Sequence, residues 1–406
     1  MPGALSHIRV LDLSRVLAGP WCTQILADLG AEVIKVERPG AGDDTRGWGP
    51  PYAPLPDGSD STESAYYLCT NRGKKSLTLD ISKPEGQAIV LELARTADVF
   101  IENYKVGGLQ LYGLDYAAMR AVKPDIVYCS ITGFGQDGPY AERAGYDFMI
   151  QGMGGLMSVT GERDDLPGGG PQKVGVAVAD LFTGMYACTA ILAALNYRER
   201  TGIGQYIDMA LLDTQITMLA NINMNYLCTG KLPQRWGNAH ANVVPYQAFA
   251  TADGHVILAI GNDSQFAKFC AVAAAPELAE DERFRRNSER VRNRDVLVPV
   301  VAEFMRRQSC AFWLEALGKS GVPCCAINDV ADVFADPHVR HRGLLRELEH
   351  PSTGRVPAVA SPLRLSETPP VLRAPPLLGQ HTEEVLRELL GKSPQAIAAL
   401  AAAGVL

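Results

Sequence analysis

Between Ile8 and Gly40 the chain reads IRVLDLSRVLAGPWCTQILADLGAEVIKVERPG, and this stretch constrains the fold more than any other. Two apolar runs, Ile8 to Leu13 and Glu32 to Glu37, are too short for helices and suit strands. Between them a helix is predicted to open near Pro20, since proline fits a first helical turn whose N–H groups lack intrahelical partners, and to end at Gly30. Strand, helix and strand in this order form a βαβ unit, which commits the chain to parallel pairing.

The pattern repeats downstream. SLTLDI is predicted as a strand, Pro84 to Ala97 as a helix with Glu85 in its first turn, and DVFIEN and DIVYCSITGFG as further strands. Strands alternating with helices predict an α/β domain with a mainly parallel sheet. A glycine-rich stretch from Pro139 to Gly175 reads as a functional loop or lid. An apolar helix from about Asp180 to Tyr197 follows, and QYIDMALLDTQITMLANINMNYL supplies another strand and helix. Beyond Leu227 the pattern breaks; HVILAIG, a helix around Gln265 to Ala274 and a basic helix near Arg283 to Arg307 suggest a smaller second domain. The Pro-rich stretch after Pro337 reads as an extended strap ending in helices. The expected division is a large domain over 1–225, a small domain over 226–330, and a strap with helices over 331–406.

Composition narrows the function classes. Among 406 residues, 38 Lys plus Arg stand against 45 Asp plus Glu, giving a formal charge of −7. Neutralising a phosphate backbone needs a concentrated basic excess, so a nucleic-acid partner is not expected. The start lacks the basic and apolar regions of a signal peptide, and the apolar stretch Ala187 to Leu195 is shorter than the ~20 residues that span a bilayer, so no membrane partner is expected either. Nine cysteines are scattered without CxxC or Cys/His spacing, which suits a reducing, cytoplasmic setting and predicts no metal site.

Several residues invite chemistry. The loop DLSRVLAGP lacks the G-x-G-x-x-G that lets backbone approach a pyrophosphate, which argues against a nicotinamide dinucleotide. A phosphate-bearing ligand still fits, because Arg38, Arg46, Arg72, Lys74 and Lys75 stand at strand ends or loops. Asp180 follows VGVAVA and precedes LFTGMYACTAILAAL, so it is either a helix cap or a reactive group at a helix N-terminus, where N–H groups favour its charged form. The glycine-rich loop could donate N–H groups to an oxyanion and admit a bulky thioester, or serve ordinary turns. His240, in RWGNAHANVVPY, is either a general acid or base or a structural histidine.

Taken together, VLDLSRVLAGP, LADLGAEVIKVERPGAGDDTRGW, NRGKKSLTLD, ADVFIENYKVGGLQLYGLDY, SITGFGQDGPYAERAGYDFMIQGMGG, KVGVAVADLFTGMYA, GNAHANVVPYQAF and LGQHTEEVL resemble, in order, the class III (CaiB/BaiF-type) CoA-transferases. The resemblance implies a Rossmann-like large domain, a smaller α/β domain and two chains interlocked as a homodimer. It also implies that Asp180 attacks an acyl-CoA thioester, giving an anhydride and then an aspartyl-CoA thioester. Coenzyme A and acyl-CoA would then be substrates, with no tightly bound cofactor. Carried over by motif, Leu17, Ala18, Arg38, Leu79, Asp80, Ile81, Asn103, Tyr104, Lys105, Gly133 and Phe134 match CoA-contacting positions. Two basic positions of the family are replaced here by Ser82 and Leu111, and Lys105 or Arg72 would have to substitute for their phosphate grip. The expected donor is succinyl-CoA and the acceptor a small dicarboxylic acid, with Arg143, Arg163 and His240 as candidates to hold a distal carboxylate. Formate/oxalate and carnitine-type substrates are alternatives. An α-methylacyl-CoA racemase is another, but Tyr146 stands where resembling racemases carry a histidine base.

Overall fold

The computed structural model describes residues 3–406, which divide into two compact units. The first comprises residues up to Leu156, Val174–Thr229 and His338–Leu406; the second comprises Met157–Lys173 and Gly230–Pro337. The segment 157–173, expected with the large domain, therefore groups with the later residues. Within that unit Gly161 accepts a hydrogen bond from the Gly237 N–H at 3.1 Å, Arg235 donates to the Ser158 carbonyl at 3.1 Å, and Arg235 pairs with Asp164.

The first unit is built on β1 (Arg9–Asp12) and β2 (Glu32–Glu37), followed by a hairpin, β3 (Tyr52–Pro54) and β4 (Asp60–Ser64), that was not foreseen. β5 (Lys74–Thr78), β6 (Val99–Glu102), β7 (Val127–Thr132) and β8 (Tyr206–Ala210) complete a parallel sheet in the order β5-β2-β1-β6-β7-β8. β5 lies two residues earlier than SLTLDI suggested. Its pairing with β2 ends at Glu37 opposite Thr78, and Asp80 then turns the chain by accepting from the Ser82 N–H at 3.0 Å and hydroxyl at 2.6 Å.

The helices are α1 (Ala18–Asp28), α2 (Ala65–Thr70), α3 (Pro84–Ala94), α4 (Tyr116–Val122), α5 (Asp147–Met153), α6 (Leu156–Val159), α7 (Val178–Thr201), α8 (Leu211–Met218) and α9 (Asn221–Thr229). Successive strand residues point to opposite faces, and both faces are dry. Val10, Val33, Val99, Ile101, Val127 and Cys129 pack with Cys22 and Leu26 of α1 and with Ala187 and Ile191 of α7. Leu11, Ile34, Leu77, Phe100 and Tyr128 pack with Ile89, Val90 and Leu93 of α3 and with Val385 and Leu386 from the C-terminal helices. By length and composition alone α7 could cross a membrane. Its packing on α1, α8 and β8 accounts for one apolar side.

The Pro-rich strap contains an unforeseen antiparallel hairpin, β12 (Leu345–His350) and β13 (Gly354–Val359), after the second unit's three-stranded sheet of β9 (Tyr246–Ala250), β10 (His255–Ala259) and β11 (Cys324–Ala326). In that unit the single basic helix expected near Arg283 to Arg307 is two, Asn287–Arg292 and Arg294–Arg306. Asn293 breaks it with φ −106° and ψ 25°. The buried Arg290 side chain anchors the first of the two by donating to the Val244 and Phe284 carbonyls at 2.7 and 2.9 Å.

Candidate functional site

Helices leave β1 on one side for β2 and, through α3, return on the other face to β6, so the sheet's switch point lies between β1 and β6. Ligands in open α/β sheets bind at the carboxyl ends of strands at such a point. There the loop after β1 is held rigidly. Asp12 accepts from the Ser14 N–H and hydroxyl at 2.8 and 2.5 Å and from the Thr23 hydroxyl at 2.6 Å, while the buried Lys35 ammonium donates to the Ser14 carbonyl at 2.7 Å and pairs with Asp43 at 2.8 Å. Asn103 clamps the same loop from the end of β6, accepting from the Arg15 N–H and donating to the Arg15 carbonyl, both at 2.8 Å. Between these ties Val16 sits at φ 69°, strained for a β-branched residue.

The cavity above this loop is lined by Arg15, Val16, Leu17, Ala18, Asn103, Tyr104, Lys105, Gly133, Arg143, Tyr146 and Asp180, among others. A second cavity holds Arg15, Arg38, Leu79, Asp80, Ile81, Ser82 and Tyr104. Arg15 and Tyr104 line both, with the guanidinium 5.4 Å from the ring centroid, so the two hollows share one wall. The structure thus brings ten of the motif-derived contact positions into two adjoining cavities. Phe134 is the exception; its ring packs back on the core and meets Tyr140 at 5.6 Å.

The basic residues separate into two groups. Arg72 is buried and holds Asp28 through two contacts at 2.8 and 2.5 Å, Arg46 grips Glu37 twice at 2.8 Å, Lys74 is buried against Asp12 and Asn71, and Lys75 pairs with Glu32 and Glu384 at 2.8 Å each. All four are committed to the scaffold, so Arg72 does not replace the missing phosphate grip. Arg38 and Lys105 are exposed at the cavities and have no ion pair among the described residues. Leu111 is 84% exposed and lines neither cavity.

Asp180 lies in the first turn of α7 but does not cap it; the N-cap position is Ala177, which has no side chain able to accept. The cap comes from α5. Asp147 Oδ1 accepts from the Ala179 N–H at 2.8 Å and, more distantly, from the Asp180 N–H at 3.4 Å. Its Oδ2 accepts from Gln151 Nε2 at 2.7 Å, and the buried Gln151 accepts from the Val174 N–H at 2.9 Å. The helix start was expected to keep Asp180 ionised. Instead its carboxyl is pushed up to about 7 by burial and by the Asp147 charge. Tyr66, on α2, is raised to about 12 by burial and by the charge of Asp180. The sequence carried no local sign of Asp147 or Tyr66, since only the fold brings each of them near Asp180.

Of the three candidates for a distal carboxylate, Arg143 shares the Asp180 cavity, its guanidinium 4.6 Å from the Tyr140 ring centroid. Arg163 and His240 belong to the second unit. There Arg163 pairs with Asp165 at 2.8 Å, and His240 Nδ1 accepts from the Asn242 N–H at 3.0 Å.

A half-buried carboxyl at the end of two joined hollows, with free cations along them, is a site for a long molecule anionic at one end and reactive at the other. Comparison with known proteins gives the family. A succinate–glutarate CoA-transferase of Agrobacterium fabrum is 51% identical over 95% of this chain and 95% of its own length. A human succinyl-CoA:glutarate CoA-transferase is 47% identical over 99% of this chain and 89% of its own. A crystal structure of a CaiB/BaiF family protein from Brucella suis superposes with a TM-score of 0.83 at 50% identity, covering 96% of this chain and all of that one. The pattern that defines CoA-transferase family III matches residues 5–382. With that match spanning nearly the whole chain and relatives at this identity, the protein belongs to CoA-transferase family III and is a CoA-transferase.

Proposed function

We propose that this enzyme moves CoA from succinyl-CoA to glutarate or a close dicarboxylate, with Asp180 as the covalent nucleophile. The observation that carries the reading is the position of Asp180 in a cavity whose wall continues to Arg38 and Leu79–Ile81. A CoA thioester fits this path with its nucleotide phosphates near Arg38 and Lys105 and its acyl carbon at Asp180. The succinyl-CoA and glutarate in the names of two close relatives supply the substrate pair.

In the ionised form Asp180 attacks the thioester carbonyl, the C–S bond breaks, and CoA leaves as thiolate. The thiolate then attacks the aspartyl carbonyl of the resulting anhydride, releasing succinate and leaving an aspartyl-CoA thioester. A glutarate carboxylate attacks that thioester, forming a second anhydride and freeing the thiolate again, which takes the glutaryl group and regenerates Asp180. Both intermediates stay activated, so one difficult exchange becomes a series of reversible steps. A carboxylate of raised basicity is the better nucleophile, at the cost of being half protonated near neutral pH. Arg143, stacked on Tyr140 and without an ion pair among the described residues, is the cation in this cavity suited to the second carboxylate of the acceptor.

The test is mass-spectrometric detection of glutaryl-CoA when the purified protein meets succinyl-CoA with and without glutarate, across a panel of mono- and dicarboxylates. Acceptor-dependent thioester formation by the native enzyme, lost in Asp180→Asn with the fold retained, is the expected result. Substantial exchange by that variant, after deamidation is excluded by intact mass, overturns the nucleophile. Preference for a monocarboxylate overturns the acceptor class.

A further inference from the structure

The geometry points to Asp147 as a positioning residue for Asp180: its carboxylate fixes the first turn of the nucleophile's helix and sets a like charge against the nucleophile. This rests on the reading of Asp180 as nucleophile. A helix start leaves its first N–H groups without partners, and a side-chain oxygen from the preceding residue ordinarily supplies one. Ala177 cannot, and Asp147 does so from a different helix, reaching the Ala179 N–H at 2.8 Å.

That carboxylate is itself held. Gln151, one turn further along α5, donates to the second Asp147 oxygen at 2.7 Å and accepts from the Val174 N–H at 2.9 Å. α5 therefore grips both the incoming irregular segment at Val174 and the first turn of α7. The chain re-enters the first unit at Val174, six residues before Asp180, so the grip fixes the backbone where the nucleophile is placed.

The electrostatic part follows from what faces Asp180. Arg15, Lys105, Arg143 and Tyr146 line the same cavity, and Tyr66 lies near from α2. On the elements packed against α7, Asp28 of α1 is engaged with Arg72, Asp213 of α8 is exposed, and Asp208 of β8 accepts from the Gln136 N–H at 3.0 Å. Burial and Asp147 are the two causes that raise the Asp180 carboxyl. Asp147 thus holds the nucleophile in place while making it more basic, two effects that a single substitution can separate.

Asn at 147 keeps an oxygen that can cap the helix but removes the charge; Ala removes both. The experiment measures two quantities on the native enzyme, Asp147→Asn and Asp147→Ala. One is the midpoint of the acid limb of kcat/KM for succinyl-CoA. The other is the pH midpoint of carbodiimide-driven amine labelling at Asp180, read by peptide mass spectrometry, which reports its protonation without requiring turnover. In Asp147→Asn both midpoints move down by about one pH unit, raising the ionised fraction of Asp180 at pH 6 about fivefold. In Asp147→Ala kcat falls by about tenfold or more at the alkaline plateau, and Asp147→Asn recovers much of that loss. Unmoved labelling in a folded Asp147→Asn protein overturns the inference, as does an Asp147→Ala enzyme with native kcat. Labelling that shifts while the rate limb stays fixed upholds the action of Asp147 on Asp180 and instead overturns Asp180 as the nucleophile.

Discussion

A carboxyl raised to about 7 from an ordinary 3.8 has a consequence for stability as well as for rate. Between those two values the folded protein holds a proton that the unfolded chain has already lost, so stability falls as pH rises through this window and the loss is complete above it. The burial that raises the Asp180 carboxyl therefore works against the folded state at neutral pH and above. Asp180→Asn removes the titration. Its melting temperature is expected to exceed that of the native enzyme at pH 8, by an amount equivalent to roughly 4 kcal/mol, and the difference should shrink toward zero near pH 4. Thermal unfolding of both proteins across that range checks it; a gap that does not change with pH would show that Asp180 titrates in its ordinary range. The environment responsible was only half visible in the sequence. Asp180 stands out because a carboxylate between VGVAVA and LFTGMYA needs a reason. Burial is the first cause of its shift, and the charge that adds to it lies 33 residues away at Asp147, in a helix of seven residues inside a segment that reads as a glycine-rich loop.

At the scale of elements, the place of Asp180, the proposed nucleophile, depends on how closely α7 lies on α1. Gly184, one turn beyond Asp180, makes the approach possible: a Cβ there would meet the Ala18 carbonyl oxygen at 2.5 Å and Trp21 at 3.1 Å. Gly184→Ala is expected to push the two helices apart, costing about 1–3 kcal/mol and lowering kcat, because Ala18 and Asp180 line the same cavity. Unchanged melting and unchanged exchange would show that the crossing is looser. The elements legible in advance are those whose residues are buried on two faces. β2 reads correctly to the residue because each position from Val33 to Glu37 is covered and the run has no polar interruption beyond Lys35, which has its own buried partner. The hairpins β3–β4 and β12–β13 were not legible. LRELEH and GRVPAV are mostly exposed, so no apolar alternation marks them, and their pairing is set by a turn at Gly354 with φ 73°. The same reason hid the role of Arg72, which looks in sequence like a phosphate ligand and is instead fixed by a buried carboxylate 44 positions earlier.

For the whole molecule, the unresolved balance is on the outer side of α7. A helix that is apolar all round belongs inside a structure, yet only one side of this helix is covered. Thr183, Gly184, Ala187, Cys188 and Ile191 face the core, whereas Phe182, Met185 and Tyr186 stand 39%, 51% and 44% exposed on the opposite side, with Tyr197 continuing the stripe at 41%. Phe148, Met149 and Met153 of α5 are likewise exposed. Monomers rarely leave apolar side chains uncovered in this number, and the repeat at three and four residues marks one continuous helix face. We expect a second copy of the chain to cover it, as the resemblance to interlocked class III enzymes implies. Native mass spectrometry and sedimentation at low micromolar concentration should then give twice the chain mass. Met185→Glu, which places a charge in the middle of the stripe at a residue that lines neither cavity, should shift that mass toward the monomer and reduce exchange with it. A native enzyme that sediments as a fully active monomer would refute the assignment. If Met185→Glu remains dimeric, the contact must lie elsewhere, leaving the exposed side of α7 to be explained by a different partner.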